Sequence, residues 1–245
     1  MGESIAVLSG KGGTGKTSIT AGLATALARE GRRVLCVDCD VGLRNLDIPL
    51  GLSDTAALSF LDVCQGGYGL DQLTAHPQFP TLFFLTAPMN RSAEQVDPEA
   101  FGDMVLAARE KFDYIFLDAP AGVDAGFRLA AQRADRVLLV TGSDPAAVRD
   151  AGRTGQVLEL MGKDNVRLIV NRINPRLVSG MDLTVDDVMD NAGLPLIGIV
   201  PEDPNVTLSA AFGKPLLTYT KKGAAAACCR IAKRIQGMPV KIDLR

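Results

Sequence analysis

Short, continuously apolar segments alternate along this chain with longer segments of helical pattern, and this alternation constrains the fold more than any other feature. Segments that are apolar at every position, rather than at every second one, are typical of strands covered on both faces of a sheet. Because strand, helix and strand follow one another, the strands pair in parallel through right-handed crossovers. We therefore expect an α/β fold with a doubly wound, mainly parallel sheet and helices on both faces. The predicted strands cover residues 4–9, 33–38, 81–85, 114–118, 136–141, 166–171 and 196–200.

Helix start signals support this arrangement. Two acid–proline pairs, at residues 97–98 and 144–145, each put a capping carboxylate before a proline in the first helical turn. The helices that follow them are predicted to end near Lys111 and Met161. Neither a repeat nor a linker divides the sequence, so a single domain over residues 1–245 is expected.

The composition excludes several classes of function. His76 is the only histidine and lies in a loop-like Ala-His-Pro context, which argues against Ser-His-Asp catalysis and multi-histidine metal sites. The 26 Lys and Arg against 28 Asp and Glu give a formal charge of −2, so the whole molecule does not attract nucleic acid or anionic lipid. An odd number of cysteines, 5, predicts reduced thiols in the cytoplasm. No signal peptide is recognised, and no apolar run approaches the ~20 residues of a membrane span.

The clearest motif follows the first predicted strand and matches the phosphate-loop pattern G-x4-G-K-[ST]. Glycines let the backbone wrap around a phosphate and turn its N–H groups inward, where a side chain would clash. Lys16 supplies positive charge to the β- and γ-phosphates, and the Thr17 hydroxyl can ligate Mg²⁺. The following helix, predicted to end near Glu30, adds its positive N-terminal end. The predicted nucleotide contacts here are Gly10, Lys11, Gly12, Gly13, Thr14, Gly15, Lys16, Thr17 and Ser18.

A second lysine, Lys11, distinguishes this loop from the general pattern. A charged residue directly after the first glycine points away from the phosphates of its own site, so it is available to a neighbouring molecule. The form Gly-Lys-Gly-Gly-x-Gly-Lys-Thr over residues 10–17 is that of deviant Walker A loops. On this motif the sequence resembles the MinD/ParA family of deviant Walker A ATPases.

Carboxylates follow two of the other predicted strands. Asp38, Asp40 and Asp47 lie within ten residues of one another, where acids beside a phosphate loop suit contacts to Mg²⁺-bound water and positioning of an attacking water. Asp118 ends the apolar run Tyr-Ile-Phe-Leu, which is the form of a Walker B acid at the metal. Residues 119–122, Ala-Pro-Ala-Gly, are interpreted as a switch whose glycine N–H senses a γ-phosphate.

Taken together, these motifs resemble the MinD branch of the family over residues 4–215. The shared motifs are the lysine-rich loop, Asp-x-Asp-Val-Gly-Leu-Arg-Asn-Leu-Asp from residue 38, Asp-Ala-Pro-Ala-Gly from residue 118, Val-Asn-Arg from residue 170 and Val-Pro-Glu-Asp from residue 200. The ten-residue motif separates MinD-like members from general ParA-like ones. The resemblance implies a Mg²⁺-dependent ATPase that dimerises on ATP and regulates placement of the division septum.

The resemblance also assigns roles to individual residues. Lys11 is implied to reach the partner's nucleotide, and Asp40 is implied to serve the attacking water. The implied catalytic residues are Lys11, Lys16 and Asp40, and the implied metal site is Thr17, Asp38 and Asp118.

Besides the phosphate contacts and the metal site, the resemblance implies where the base of the nucleotide binds. The resemblance places adenine against Asn171 and the backbone of Pro201, Glu202 and Asp203. Independently of it, guanine-specific sites read the N1 and N2 donors with the Asp of an Asn-Lys-x-Asp element, whereas Asn174 stands at that position here. An amide lacks the second acceptor oxygen of a carboxylate, so ATP is predicted over GTP.

The C-terminal segment departs from the family pattern, in which an amphipathic helix with bulky apolar residues binds membrane. The last helix, predicted over residues 219–236, puts its apolar residues on one side and its basic residues largely elsewhere; the apolar ones are Ala225, Cys228, Ala232 and Ile235. Small residues suit packing on a sheet better than insertion among lipid tails. We therefore expect weak or absent membrane association, in a protein that is cytoplasmic or peripheral at the inner face of the cell membrane.

The expected partners are a second copy of the chain in the presence of ATP and regulatory proteins of the division-site system, with no specific nucleic acid. Two alternatives stay open: a ParA-like or flagellar-number positioning ATPase, and an iron–sulfur cluster carrier. Cysteine spacing weighs against the carrier. Cys36 and Cys39 face opposite sides of a strand, and the adjacent Cys228 and Cys229 lack Cys-x-x-Cys spacing. Buried structural thiols are expected instead.

Overall fold

The computed structural model describes residues 1–89, 92–174 and 185–242 and arranges them around one eight-stranded sheet. The strands are β1 (Glu3–Leu8), β2 (Val34–Asp38), β3 (Ala75–His76), β4 (Phe79–Leu85), β5 (Tyr114–Asp118), β6 (Arg136–Thr141), β7 (Val166–Ile173) and β8 (Leu196–Pro201). The α-helices of the described ranges are α1 (Lys16–Arg29), α2 (Asp47–Leu50), α3 (Phe60–Cys64), α4 (Pro98–Arg109), α5 (Ala125–Gln132), α6 (Pro145–Leu160), α7 (Val185–Ala192), α8 (Pro204–Ala211), α9 (Leu216–Tyr219) and α10 (Ala224–Ile235).

The strand order is β3-β4-β2-β5-β1-β6-β7-β8, and every neighbouring pair is parallel except β3 with β4. The first strand lies inside the sheet, and the chain adds further strands on both sides of it. The predicted doubly wound α/β fold is confirmed. In such a sheet the crossover loops diverge at the carboxyl ends of the central strands and leave a crevice for a ligand.

The predicted strands agree with the observed ones to within two residues at each end. Strand β3 was not predicted, because two residues that pair antiparallel with β4 leave no periodic pattern in the sequence. Helices α4 and α6 begin as predicted. The Asp97 carboxylate accepts a hydrogen bond from the Glu99 N–H, and the Asp144 carboxylate accepts one from the Ala147 N–H.

Hydrophobic side chains fill both faces of the sheet. One face packs against α1 and α10, and the other packs against α4, α5 and α6. Cys36 lies in the first of these cores and Cys39 in the second, so the prediction that they face opposite sides is confirmed. Helices α1 and α10 approach closely because Gly22 has no side chain. A Cβ atom there would lie 2.6 Å from the Cys228 sulfur.

The prediction of one continuous helix over residues 219–236 is wrong. The chain forms the short helix α9, extends at Thr220, and starts α10 only after Gly223, whose φ is +56°. The Asp203 carboxylate accepts a hydrogen bond from the Ala224 N–H at 3.0 Å and so defines this start. The small-residue face of α10 packs against α1 and β8, as its composition indicated. In the described ranges, no helix combines the length and apolar content needed to cross a bilayer.

His76 is buried and joins β3 to the end of α2. Its Nε2 lies 2.8 Å from the Leu50 carbonyl oxygen, and its Nδ1 accepts a hydrogen bond from the Gln78 N–H at 3.0 Å. A ring nitrogen that accepts carries no proton, so the imidazole is neutral, with its hydrogen on Nε2. Burial lowers the pKa of His76, although the bond to Leu50 opposes the shift.

Because His76 is neutral in the folded protein, we expect the free energy of unfolding to decrease on mild acidification. Its pKa is lower in the folded chain than in the unfolded chain, so the unfolded state binds more protons as the pH falls below about 6.5. Urea unfolding at pH 7.5 and pH 5.5 measures the effect, with His76→Gln as the reference that cancels all other titrations. We expect the wild type to lose more free energy of unfolding over this interval than the variant. An equal loss in both proteins would contradict the prediction.

Candidate functional site

The candidate site lies at the carboxyl ends of β1, β2, β5, β7 and β8, where the predicted motifs converge. The first of them is the loop between β1 and α1. Gly13 and Gly15 have φ angles of +79° and +85°, a conformation that glycine adopts without strain. Gly10 is required by close packing, because a Cβ atom there would lie 2.3 Å from the Thr154 hydroxyl oxygen. The loop therefore wraps as a phosphate cradle does and ends at the N-terminus of α1, which begins at Lys16.

Lys16 is buried at the floor of this cradle, with 7% of its surface exposed. Its Nζ lies 3.4 Å from both Asp118 Oδ1 and Thr17 Oγ1. The hydroxyl of Thr20, one helical turn later, donates to the same Asp118 oxygen at 2.7 Å. The structure therefore brings together the predicted lysine, hydroxyl and Walker B carboxylate. Thr20 was missed, although its spacing of four residues from Lys16 on a predicted helix was a usable signal.

Lys11 lies in a different environment from Lys16. Its side chain is 50% exposed, and its Nζ approaches Asp144 Oδ1, itself on a 58% exposed side chain, only to 3.9 Å. An exposed pair at this distance contributes little to stability, so the lysine side chain is free to move. The two lysines of one loop therefore differ in exposure: Lys16 is buried in the cradle and Lys11 is half exposed.

Asp38 orders the segment that follows β2. Its Oδ1 accepts a hydrogen bond from the Asp40 N–H at 2.9 Å, and its Oδ2 accepts two more from the N–H groups of Asn45 and Leu46, each at 3.0 Å. The side chain is fully buried, and burial raises its pKa to about 6 against the opposing effect of these bonds. Asp38 thus anchors the loop through these hydrogen bonds and is also a candidate residue of the Mg²⁺ site.

Asp40 stands at the start of this anchored loop and is half-buried. Burial raises its pKa, while the nearby positive charge of Lys16 lowers it. A carboxylate with a raised pKa is a better acceptor for a proton or for a hydrogen bond from water. Asp47, the third carboxylate of this segment, is engaged elsewhere, because its Oδ2 pairs with Arg44 Nε at 3.1 Å.

The predicted switch is held against the phosphate loop. Gly122, with a φ of +95°, donates its N–H to the Ser9 carbonyl oxygen at 3.1 Å. The sequence prediction gave this N–H to a γ-phosphate, but in this conformation it is already occupied. Contact with a phosphate would require that bond to open, so the segment has two alternative acceptors for one donor.

A cavity of about 470 Å³ adjoins the loop on the side of β7 and β8. It is lined by Ser18, by Asn171 and by all three residues of the predicted base contact, Pro201, Glu202 and Asp203. The Asn171 amide nitrogen donates to the Thr14 carbonyl oxygen at 2.7 Å and so ties the cavity wall to the phosphate loop. The Asp203 side chain is used structurally, since it caps α8 and α10, and its carbonyl oxygen accepts a hydrogen bond from the Val206 N–H at 3.1 Å.

The side chains fit a magnesium nucleotide. Within the described part of the chain, the buried hydroxyl groups of Ser9, directly before the phosphate loop, and Thr14, inside it, find no hydrogen-bond partner, and a phosphate oxygen would accept from them. Thr17, Asp118 and Asp38 offer hard oxygen atoms, which Mg²⁺ prefers. Mg²⁺ takes few protein ligands beside phosphate oxygens and water, so such a site requires no larger cluster.

The cysteines offer no comparable site. The thiols of Cys36, Cys39 and Cys228 are buried, and those of Cys64 and Cys229 are half-buried. Burial raises the pKa of Cys64 to about 11 and that of Cys228 to about 12, which disfavours the thiolate that binds metal. Within the ranges that the structure covers, no three His, Cys, Asp or Glu side chains are grouped to hold a metal ion. The geometry gives the iron–sulfur alternative no support.

A glycine-rich loop between a strand and a helix, with a buried lysine beside a strand-end carboxylate, defines a P-loop nucleotide-binding protein. Comparison with known proteins identifies the family. Residues 5–216 match the CobQ/CobB/MinD/ParA nucleotide binding domain, and the chain belongs to that family. Within it, the chain is an ATPase of the MinD type.

Individual relatives agree with this assignment. The septum site-determining protein MinD of Synechocystis is 40% identical over 243 residues, which is 98% of this chain and 91% of that protein. The MinC:MinD cell division protein complex of Aquifex aeolicus contains a chain that superposes with a TM-score of 0.91 at 36% identity, with 98% of each chain covered. MinD of Pyrococcus horikoshii, solved with Mg-ADP, gives 0.83 at 29% identity, with 96% of each chain covered. The predicted MinD resemblance is confirmed.

Proposed function

We propose that this chain is a Mg²⁺-dependent ATPase that alternates between a monomer with ADP and a sandwich dimer with ATP, and that the dimer regulates placement of the division septum. One observation carries the proposal. The phosphate loop buries Lys16 against Asp118 and exposes Lys11, which has only a weak contact with Asp144. The buried lysine serves the nucleotide of its own chain, and the exposed lysine is available to the nucleotide of a second chain.

The nucleotide is proposed to lie along the crevice, with its base in the 470 Å³ cavity and its phosphates in the loop. Asn171 and the backbone of Pro201 to Asp203 hold adenine, in preference to guanine. Thr17 and Asp118 hold Mg²⁺, and Asp38 adds its charge while ordering the adjacent loop. Mg²⁺ supplies neutralisation of the negative charge on the phosphate oxygens.

Asp40 is proposed to orient the water that attacks the γ-phosphate, because it is a half-buried carboxylate with a raised pKa at the start of the anchored loop. Lys16 stabilises negative charge on the β- and γ-phosphates in the same site. The Gly122 N–H reaches a γ-phosphate only when its bond to Ser9 opens, which makes the dimer-competent conformation depend on ATP rather than ADP.

Asp40→Ala is expected to leave ATP binding close to wild type and to slow hydrolysis by about 100-fold or more, since a positioned carboxylate contributes at least that factor. Single-turnover hydrolysis and calorimetry measure the two effects separately. Asp164→Ala, which removes an exposed carboxylate just before β7, at the amino end of that strand and away from the candidate site, is the matched control. Hydrolysis at the wild-type rate by Asp40→Ala would assign the carboxylate another role.

The proposed ATP cycle also implies partners for this chain. MinD of Aquifex aeolicus forms a complex with MinC, and we propose a regulatory partner of the same system for the ATP dimer of this chain. The protein is proposed to be cytoplasmic and to touch the inner face of the cell membrane weakly, since the small-residue face of α10 is already used against α1 and β8.

Light scattering with ADP and with ATP, in each case with and without anionic liposomes, tests this proposal. We expect a monomer in ADP, a dimer in ATP, and little protein on the liposomes in either state. A monomer in both nucleotides would contradict the switch. Strong ATP-dependent binding to liposomes would contradict the weak membrane contact and leave the switch intact.

A further inference from the structure

Thr20, one turn after Lys16 on α1, is a polar residue that joins two segments of the site. Its side chain is fully buried, and its Oγ1 lies 2.7 Å from Asp118 Oδ1 and 3.1 Å from the Lys16 carbonyl oxygen. A hydroxyl has one hydrogen to donate, and an ionised carboxylate is a stronger acceptor than a carbonyl group. The shorter bond is therefore the principal one, and it connects α1 to the end of β5.

A second threonine of the same helix shows how such a hydroxyl ordinarily behaves. Thr25 is 1% exposed, and its Oγ1 lies 2.7 Å from the Ala21 carbonyl oxygen and 3.1 Å from that of Gly22. Both acceptors belong to the preceding helical turn, where a buried threonine commonly finds its partner. Thr20 also has a carbonyl acceptor in its own helix, yet its closer bond goes to a residue 98 positions away. Helix geometry alone therefore does not account for the bond to Asp118.

The Asp118 carboxylate makes its side-chain contacts through only one of its two oxygens. Oδ1 accepts from the Thr20 hydroxyl at 2.7 Å and from the Lys16 Nζ at 3.4 Å. Within the described ranges, no protein group donates to Oδ2. The lysine contact is longer than the ~2.7–3.2 Å of a good N–H···O bond, so the threonine is the principal donor. A carboxylate held through Oδ1 is restricted in its rotation and keeps Oδ2 available.

Nucleotide binding alters this arrangement, because Lys16 is part of the proposed phosphate site. Phosphate oxygens compete with Asp118 for the hydrogens of the lysine ammonium group. When the lysine turns toward the phosphates, Thr20 is the remaining donor to the Asp118 carboxylate among the described residues. Its β-branched side chain is short and stiff, whereas the lysine side chain is long and flexible. Thr20 is therefore suited to hold the carboxylate in both states.

We propose that Thr20 is a positioning residue for Asp118. The proposal rests on the proposed Mg²⁺-nucleotide site. The Thr20 hydroxyl holds Oδ1 and so leaves Oδ2 for the Mg²⁺ site while phosphate engages Lys16. Removal of a hydrogen-bond partner behind a metal site typically lowers metal affinity about 10- to 100-fold. Loss of the hydroxyl is therefore expected to weaken Mg²⁺ binding and to leave nucleotide affinity without Mg²⁺ unchanged.

The test measures how strongly Mg²⁺ promotes ADP binding, which does not depend on hydrolysis. Calorimetry in excess Mg²⁺ and in EDTA gives the factor by which Mg²⁺ lowers the dissociation constant of ADP. In Thr20→Val, which replaces the hydroxyl with a methyl group, we expect this factor to fall about tenfold while the constant in EDTA stays unchanged. Thr20→Ser keeps the hydroxyl and is expected to keep the wild-type factor. Thr25→Val, which removes a buried hydroxyl that bonds only within α1, is the matched control.

A second comparison tests whether Thr20 acts through Asp118. In the Asp118→Asn background, Thr20→Val is expected to cause no further change in the Mg²⁺ factor, because the group through which Thr20 acts is already altered. Thermal unfolding establishes that each variant is folded at the titration temperature. If Thr20→Val does not fold, Thr20→Ala makes the same comparison without a methyl group against the carboxylate.

Several results would overturn the proposal. A wild-type Mg²⁺ factor in the folded Thr20 variant would mean that the hydroxyl does not position Asp118. An equal loss in Thr25→Val would assign the effect to the packing of α1, and an undiminished further loss in Asp118→Asn would mean that Thr20 acts independently of Asp118. If Mg²⁺ does not promote ADP binding in the wild type, the proposed metal site itself fails, and the positioning role fails with it.

Discussion

Replacing Lys16 with alanine is expected to raise the dissociation constants of ATP and ADP by at least about 100-fold. The Lys16 ammonium is buried at the floor of the cradle, and within the phosphate loop no other lysine or arginine is directed inward. Charge-assisted hydrogen bonds contribute about 1.5–3 kcal/mol each, so the loss of contacts to two phosphates gives this factor. Isothermal titration calorimetry with each nucleotide measures it.

The same substitution also removes the cation next to a buried carboxylate. Asp118 keeps the hydrogen bond from Thr20 at 2.7 Å but loses Lys16 at 3.4 Å, so some loss of stability is expected. Circular dichroism at the titration temperature therefore has to show that the variant is folded. Lys111→Ala, which breaks an exposed ion pair with Asp71, is the control for removing a lysine in general. Wild-type affinity in folded Lys16→Ala would mean that this loop is not the nucleotide site.

Most of the fold was predictable because each strand is buried on both faces and therefore reads as an apolar run. The limits of β5 and β6 were predicted to the residue, since polar or turn residues bound both runs. The C-terminal helices were not, because the break at Thr220 to Gly223 depends on a tertiary contact. The Asp203 carboxylate, twenty-one residues away, accepts the Ala224 N–H and decides where α10 begins.

The site was predictable where chemistry depends on spacing along the chain, and not where it depends on a neighbour across the sheet. The loop motif predicted where Lys16 lies, and the apolar run before Asp118 predicted its strand-end position. The bond between the Gly122 N–H and the Ser9 carbonyl could not be predicted, because two segments more than one hundred residues apart make it. An irregularity near the end of β7 was missed for the same reason: Val170 pairs with Ile199 and Ile173 with Pro201, so β7 has one residue more than β8 over this stretch.

Replacing Lys11 is expected to have the second large effect, a loss of dimerisation, because the position of this lysine allows a contact that a single chain cannot make. Its side chain is half exposed, and its only ion pair in the described ranges is the 3.9 Å approach to Asp144. An exposed pair of this kind is worth at most about 1 kcal/mol, so breaking it costs the monomer little. The lysine can therefore leave Asp144 and reach across a two-fold interface, where each copy would contact the nucleotide of the other.

Lys11→Ala is therefore expected to bind ATP and ADP nearly as well as wild type, to unfold at a similar temperature, and to remain a monomer in ATP. Hydrolysis would obscure the comparison by converting ATP to ADP, so the measurement is made in the Asp40→Ala background. Light scattering in excess ATP compares three proteins: Asp40→Ala alone, Asp40→Ala combined with Lys11→Ala, and Asp40→Ala combined with Lys233→Ala. The third protein is the control, because Lys233 is an exposed lysine on α10. We expect the dimer in the first and third proteins and the monomer in the second, because a dimer held by ATP depends on the contact that spans it. If the double variant dimerises as strongly as Asp40→Ala, Lys11 does not serve a second chain, and the outward position of this lysine has another cause.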